Sequence, residues 1–417
     1  METIVSAGLS TIKEGAIELW GGGRGKVLTA VTTGWFLSIG VRMIYPVMLP
    51  YLRSAYGLDL TAAGLLLTVL FLAYALGQFP GGVLADRFGE RVMLSGSAML
   101  SAVTLTLVVT ARSPLFLFAA TALCGFGTAL YAVGRYTVLP RLYTDRLGAA
   151  NGLTAASQDA GQSVLPPVAG LLAATFLWQY GFGFTIPLFV LSGVVLWITV
   201  PPRRPDASDD DDASLVGTLR SLRSVLRQPS VVYATGVLIL GLFVWQAFTS
   251  FYPTYLIDEK GLSNTVAGGL FGTFFALGIL IKPLAGVAFD RFGIRRSLSI
   301  VASGPTIGLL ALPFVDDFWA LVAVTALVST LLGFATVVEP LLLDALPEAV
   351  RGTGFGVLRS VAFTIGATSP AIFGAAADRG FFDVVFVALA VLTAAMMLLA
   401  FLLPSSDGPA ENATSSK

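Results

Sequence analysis

The sequence predicts an all-α membrane protein made of two similar halves. Three observations support this fold class: an apolar composition, long apolar runs, and one motif that occurs twice. Hydrophobic residues make up 55% of the 417 residues and charged residues only 12%, too few charges to cover a soluble protein of this size. The net charge is zero, so the charge balance gives no indication of nucleic-acid binding.

Twelve apolar segments are predicted to cross the membrane, because a helix needs about 20 apolar residues to span the hydrocarbon core. Backbone polar groups in lipid must be satisfied within the segment, which requires helices. The predicted spans are residues 28–52, 60–84, 92–111, 115–140, 149–173, 183–201, 231–256, 265–289, 297–315, 318–343, 354–377 and 381–403. They are expected to form two pseudo-symmetric bundles of six helices each.

The division of the chain follows from these spans. Residues 1–25 are expected to be a cytoplasmic segment and not a cleavable signal peptide, because charged residues interrupt their apolar stretches. The first bundle covers residues 26–201 and the second covers residues 230–403. Residues 202–229 form a polar linker between the bundles, and residues 404–417 form a disordered polar tail.

The repeated motif follows the second span of one half and the eighth span of the other. Its two copies are Gly82-x-x-x-Asp86-Arg87-Phe88-Gly89-x-Arg91 and Gly286-x-x-x-Asp290-Arg291-Phe292-Gly293-x-Arg295. The same offset of 204 residues aligns other positions, among them Gly57 with Gly261. A constant offset over several helices indicates parallel repeats, related by an axis along the membrane normal.

The distribution of basic residues predicts that both termini lie in the cytoplasm. In that orientation, 17 of the 25 lysines and arginines fall on the cytoplasmic side and only four fall outside. Both copies of the motif and the central linker are then cytoplasmic.

The chain resembles the major facilitator superfamily from about residue 26 to residue 403. The resemblance is carried by the doubled motif, the twelve predicted spans and the long central linker. It implies a secondary transporter of the cytoplasmic membrane in which two bundles rock about a central site. It also implies that the motif charges form a latch on the cytoplasmic side, with simple topology anchoring as the alternative. The latch residues would be Asp86, Arg87, Arg91, Asp290, Arg291 and Arg295.

Two cations inside the predicted spans are candidate substrate contacts, because a charge at mid-membrane costs at least about 2.5 kcal/mol and needs a reason. Arg42 lies near the middle of the first span, in a stretch that resembles the first helix of organic-anion porters of the superfamily. Lys282 precedes Pro283 in the eighth span, where monocarboxylate carriers have arginine. For Lys282 a structural role is equally supported. Arg359 is expected to snorkel to the cytoplasmic interface.

Three further charges are candidates for coupling or gating. Arg135 and Glu339 hold equivalent positions in the fourth and tenth spans, and we expect them to pair across the halves when the cytoplasmic mouth closes. Alternatively, Glu339 carries a coupling proton. Asp159 in the fifth span is the other proton candidate, because the chain has no histidine, or else it neutralises Arg42 permanently.

Four uncharged side chains complete the predicted substrate site. Gln246 takes the place of Arg42 in the second half. Gln158 and Gln162 lie one turn apart on one helix face, and Tyr131 lies one turn before Arg135. Helix packing is the usual role of an aromatic residue such as Tyr131 in so apolar a chain.

The excess of predicted membrane cations over carboxylates favours a carrier of a small carboxylate-type anion, proton-coupled or exchange-driven and monomeric. A multidrug-type efflux antiporter of the same superfamily is the first alternative, and a membrane sensor without transport is the second. The sequence contains no histidine, no G-x-S-x-G elbow and no Walker A loop, so an enzyme is not expected. Neither a cofactor nor a metal is expected.

Overall fold

The computed structural model describes residues 20–143, 146–202, 228–346 and 351–403, and the regular structure in these residues is helical. The α-helices are α1 (Arg24–Tyr56), α2 (Leu60–Val109), α3 (Pro114–Leu142), α4 (Leu147–Thr175), α5 (Gln179–Gly183), α6 (Thr185–Thr199), α7 (Pro229–Asp258), α8 (Asn264–Ala311), α9 (Phe318–Ser329), α10 (Phe334–Ala345), α11 (Arg351–Gly366), α12 (Ser369–Ala377) and α13 (Phe382–Leu402). Residues 1–19, most of the linker (203–227) and the tail (404–417) lie outside the described residues.

Ten helical stretches of the described residues are long and apolar enough to cross a membrane, compared with the twelve predicted. The difference has two sources. The polar residues of α4, including Asp159, reduce its hydropathy, and α8 runs as one continuous helix although it is kinked at Gly293. Large apolar side chains such as Leu115 and Phe314 are about four-fifths exposed, as expected of a surface in contact with lipid.

The two halves repeat in backbone geometry as well as in sequence. Gly89 and Gly293, at matching places in the two motif copies, have φ values of 76° and 72° inside otherwise helical runs. This is a conformation that strains any residue with a side chain. Each glycine divides a long helix into two membrane-length arms, which explains why both copies of the motif contain it.

The helix starts repeat in the same way. The Asp59 side chain accepts a hydrogen bond from a backbone N–H in the first turn of α2, and Ser263 does the same for α8. Ser113 and Asp317 cap α3 and α9 in equivalent positions. Each pair is 204 residues apart, so the repeat preserves capping chemistry although the residue types differ.

The two halves pack closely at one end of the molecule. A Cβ atom on Gly64 would lie 2.2 Å from the Pro370 carbonyl oxygen, and one on Gly374 would lie 2.1 Å from the Leu60 carbonyl oxygen. Only glycine permits such an approach between backbones. We call this end, where Leu60 and Gly374 lie, the far side, and the opposite end, which carries Gly89 and Gly293, the motif side.

The motif side is open by comparison. Among the described residues, nothing lies within 4 Å of a Cβ placed on Gly82, and the nearest atom to one on Gly286 is in Thr336 of α10 in the same half, at 3.7 Å. The backbones of the two halves therefore do not meet at these two glycines as they do at Gly64 and Gly374.

Candidate functional site

Arg42 is a buried cation without a carboxylate partner among the described residues. It lies on α1 and is 2% exposed. Its guanidinium carbon is 3.6 Å from the centroid of the Tyr74 ring, a cation–π contact with α2. Its Nε has no hydrogen-bond acceptor among the residues that the structure describes. A guanidinium group does not lose its proton in proteins, so the charge remains.

Arg135 on α3 is a second cation of the same kind. It is 8% exposed, and its guanidinium carbon lies 4.1 Å from the ring centroids of both Trp35 and Tyr136. Arg135 Nε and Trp35 Nε1 also lack an acceptor. Arg42 and Arg135 are close enough to repel each other electrostatically. The interior of the first half is therefore electropositive and offers unused N–H donors.

Lys282 is paired with a carboxylate, in contrast to Arg42. Its Nζ lies 2.5 Å from Asp159 Oδ1, which joins α8 of one half to α4 of the other. The Asp159 side chain is 5% exposed and that of Lys282 26%. Permanent neutralisation of Arg42 by Asp159, one of the two roles predicted for this carboxylate, is not found, because Asp159 is engaged by Lys282 instead.

Glu339 faces Arg359 and not Arg135. The Arg359 Nε lies 3.5 Å from Glu339 Oε1, within the second half. Arg359 also interacts with the hydroxyl group of Tyr136, across the two halves. It therefore points toward the first half, where we expected it to snorkel to the interface. The Arg135–Glu339 pair stays a prediction for a conformation with the motif side closed.

The uncharged candidates divide into two groups. Tyr131 is fully buried and donates a hydrogen bond of 2.9 Å to the Val31 carbonyl, and Gln246 donates one of 3.2 Å to the Phe363 carbonyl. Both hydrogen bonds lie within the residue's own half, and substrate contact by Tyr131 and Gln246 stays a prediction. Gln162 is buried and Gln158 is half-buried on α4, and their roles stay predictions.

The motif arginines make contacts within their own halves. The Arg91 guanidinium carbon lies 4.5 Å from the Trp197 ring centroid, and Arg295 Nε donates to the Leu403 carbonyl at 2.5 Å. The second contact places a cation at the C-terminus of α13, where the helix dipole favours it. The side chains of Arg87, Asp290 and Arg291 are exposed, and that of Asp86 lies outside the described part of the structure.

Sequence reasoning missed a buried carboxylate inside the first motif copy. Glu90 is 1% exposed, and its Oε2 accepts a hydrogen bond of 2.6 Å from Arg141. The matching residue of the second copy is Ile294. The available indication was a charged residue directly after the kink glycine Gly89, at a position where the second copy of the motif has an apolar residue.

Aromatic rings from both halves meet beside Arg42. Phe363 of α11 lies 5.4 Å from Tyr74 and 6.5 Å from Phe71, and Trp245 of α7 lies 6.5 Å from Phe71, measured between ring centroids. We call Phe71, Tyr74, Trp245 and Phe363 the aromatic layer. It joins α2 of the first half to α7 and α11 of the second.

The family model described as Major Facilitator Superfamily matches residues 31–338 and 248–417, and the chain belongs to this superfamily. It is therefore a multi-pass membrane transporter and not an enzyme. A hexuronate transporter of Bacillus subtilis (strain 168) is 24% identical over 87% of this chain and 90% of its own length. A 2-nitroimidazole transporter of Escherichia coli (strain K12) is 27% identical over 84% of this chain and 88% of its own length.

The fold also matches a solved structure. A bacterial homologue of the human lysosomal transporter Spinster, crystallised in an inward-facing and occupied conformation, aligns with a TM-score of 0.73. The alignment covers 91% of this chain and 96% of that chain at 17% sequence identity. At this identity the match supports the fold alone.

Proposed function

We propose that this protein is a secondary active carrier of a small organic anion of the carboxylate type. It has twelve spans in two bundles of six, with the motif side and both termini in the cytoplasm. The anion binds to Arg42 and Arg135 from the motif side and crosses by alternating access. Transport is driven by a proton or by exchange of anions, and the carrier is monomeric.

The observation that carries the proposal is that Arg42 and Arg135 are buried without a carboxylate partner among the described residues. A cation–π contact contributes about 0.5–2 kcal/mol. Removing an unpaired ion from water costs several kcal/mol, so the cation–π contacts do not offset the cost of burying these two arginines. An anion in the site would satisfy both the charge and the free N–H donors. The hexuronate transporter among the relatives supports this substrate class.

The pair of Asp159 and Lys282 is our candidate for coupling. It joins the halves between the far-side contacts and the open motif side, and its lysine is partly exposed. Protonation of Asp159 would remove one charge of the pair and free Lys282 for the substrate anion. The pair of Glu339 and Arg359 is the second candidate, since that glutamate is also partly exposed.

Transport into proteoliposomes tests the proposal. We expect uptake of labelled D-glucuronate, a loss of at least about tenfold for Arg42→Gln, and partial recovery for Arg42→Lys. Arg112→Gln is the matched control, because Arg112 is an exposed arginine between α2 and α3, away from the pocket. Transport of a cationic dye with no competition from any carboxylate would overturn the anion assignment.

A second candidate is export of an uncharged planar compound. The aromatic layer beside Arg42 offers ring faces for stacking, and one relative is a 2-nitroimidazole transporter. If 2-nitroimidazole is transported and Arg42→Gln leaves its rate unchanged, this candidate replaces the first. Ligand-induced thermal stabilisation with no flux of any compound would favour a sensor.

A further inference from the structure

A third arginine, Arg359 of the second half, lies close to Arg135. Arg359 is 3.5 Å from Glu339, longer than the roughly 2.7–2.9 Å of a charge-assisted hydrogen bond. Its side chain is about half exposed, which leaves N–H groups available. Arg359 also interacts with the hydroxyl of Tyr136, and the Arg135 guanidinium packs against the ring of the same tyrosine. Tyr136 thus lies between an arginine of one half and an arginine of the other.

The charges described around this pocket do not balance. Arg42, Arg135 and Arg359 supply three positive charges, and Glu339 supplies one negative charge. Lys282 and Asp159 neutralise each other. Arg135 is repelled by both other arginines. Two positive charges of this group are therefore not balanced by a carboxylate among the described residues. Arg42 and Arg135 lie in the first half, and Arg359, which shares Glu339, lies in the second.

The aromatic contacts restrict how an anion can approach. Tyr74 covers one face of the Arg42 guanidinium, and Trp35 and Tyr136 both pack against that of Arg135. At the edge of each guanidinium plane, the Nε–H group has no acceptor among the described residues. Edge N–H groups bind planar oxyanions in a bidentate geometry, which a carboxylate fits.

We propose that the substrate is a dianion whose two carboxylates bind different arginines. One carboxylate binds Arg42 beside Tyr74, and the other binds between Arg135 and Arg359. This inference rests on the proposed function, which requires only that an anion binds. It adds a substrate class, dicarboxylates, and it makes Arg359 a specificity-determining residue.

The second carboxylate also has a mechanical role. It touches Arg359 of the second half, so a bound dianion ties the two halves together on the motif side. A monoanion bound to Arg42 and Arg135, which both belong to the first half, makes no such tie. Glu339 competes with the second carboxylate for Arg359, so removing the Glu339 charge strengthens dianion binding.

Calorimetric titration of the purified full-length carrier tests this inference. The probes are D-glucarate against D-glucuronate, and succinate against succinamate, because each pair differs by one negative charge on the same carbon skeleton. We expect the wild type to prefer the dianion of each pair by about tenfold. Arg359→Gln should reduce this preference to about twofold and leave the monoanion affinity nearly unchanged, and Arg359→Lys should restore part of it.

Glu339→Gln is the matched variant, and it should increase the dianion affinity. Equal wild-type affinity for the two members of each pair would overturn the inference. So would an Arg359→Gln variant, folded by thermal melting, that weakens both members equally. If neither acid binds but 2-nitroimidazole does, the proposed function fails as well, and the two failures are thus distinguishable.

Discussion

The far side and the motif side of this carrier are built from the same repeat but hold the two halves together differently. On the far side, the Asp378 carboxylate accepts hydrogen bonds from the backbone N–H groups of Leu60 and Thr61 at the start of α2, at 2.8 and 2.6 Å. Arg53 and Asp258 form an ion pair of 2.6 Å between α1 and α7.

On the motif side, Arg359 contacts Tyr136 across the halves, and the motif arginines Arg91 and Arg295 contact their own half. The difference indicates a conformation in which the two halves are joined on the far side and separated more widely on the motif side.

The largest expected effect comes from adding one methyl group at the far-side contact. In Gly374→Ala the Cβ would lie 2.1 Å from the Leu60 carbonyl oxygen, so the backbones must separate. Overpacking of this kind reduces the free energy of unfolding by about 1–3 kcal/mol. We expect a loss near the upper end of this range, because a backbone carbonyl cannot move aside as a side chain can. Spin labels on α2 and α12 should show a longer far-side distance.

Gly82→Ala is the matched control on the motif side. Nothing lies within 4 Å of its added Cβ, so the thermal stability should be unchanged or slightly raised. Equal effects of the two substitutions would mean that the two sides are not packed differently.

The next largest effect concerns the ion pair midway between the two sides. Asp159→Asn leaves Lys282 unpaired in the membrane interior. Breaking a fully buried pair costs about 3–5 kcal/mol, and partial exposure of Lys282 should reduce this to about 2–3 kcal/mol. Thermal melting of Asp159→Asn and of Asp159→Asn/Lys282→Gln measures it, and the double variant should recover most of the loss. No recovery would contradict a direct pairing.

A smaller effect of opposite sign is expected in the pocket itself. Arg42→Gln removes a charge that has no carboxylate partner among the described residues, so ligand-free stability should rise by about 1 kcal/mol. The same variant should no longer be stabilised by D-glucuronate in a thermal-shift assay. A clear loss of ligand-free stability would show that Arg42 is a structural residue.

The smallest effect concerns pH at the far side. Burial acts to raise the pKa of Asp378, but hydrogen bonds from Thr61 and Leu60 outweigh it and hold the pKa below its usual value of 3.8. The far-side tie is therefore complete above about pH 4 and is lost as the pH falls through the lowered pKa.

Far-side distances between spin labels should thus stay constant from about pH 8 to about pH 5 and increase only in stronger acid. Asp378→Asn should remove this acid transition. It should also weaken closure by about 0.5–1 kcal/mol at neutral pH, the effect of a poorer helix cap. A transition near neutral pH would assign the far-side closure to a different group.

The sequence predicted the features that repeat. The offset of the two motif copies predicted two parallel repeats, and Gly89 and Gly293 adopt the same positive φ because both end a helix arm in the same way. Arg42 was predicted to be buried from its place in an apolar run, since a helix position fixes depth in the membrane.

The sequence did not predict which charges pair. Asp159 was open to pairing with Arg42, but the structure pairs it with Lys282, because α4 packs against α8 across the halves. The same holds for Glu339 and Arg359, which are neighbours on α10 and α11. Periodicity within one helix gives the face of a residue but not the helix opposite it, so pairings between helices required the folded structure.

A crystal structure of the carrier soaked with a bromine-labelled carboxylate tests the central claim most directly. The account predicts an anomalous peak beside the edges of the Arg42 and Arg135 guanidinium groups, with Lys282 still paired to Asp159. A peak at Lys282 with both arginines unoccupied, or a carboxylate of the chain itself bound to Arg42, would contradict it.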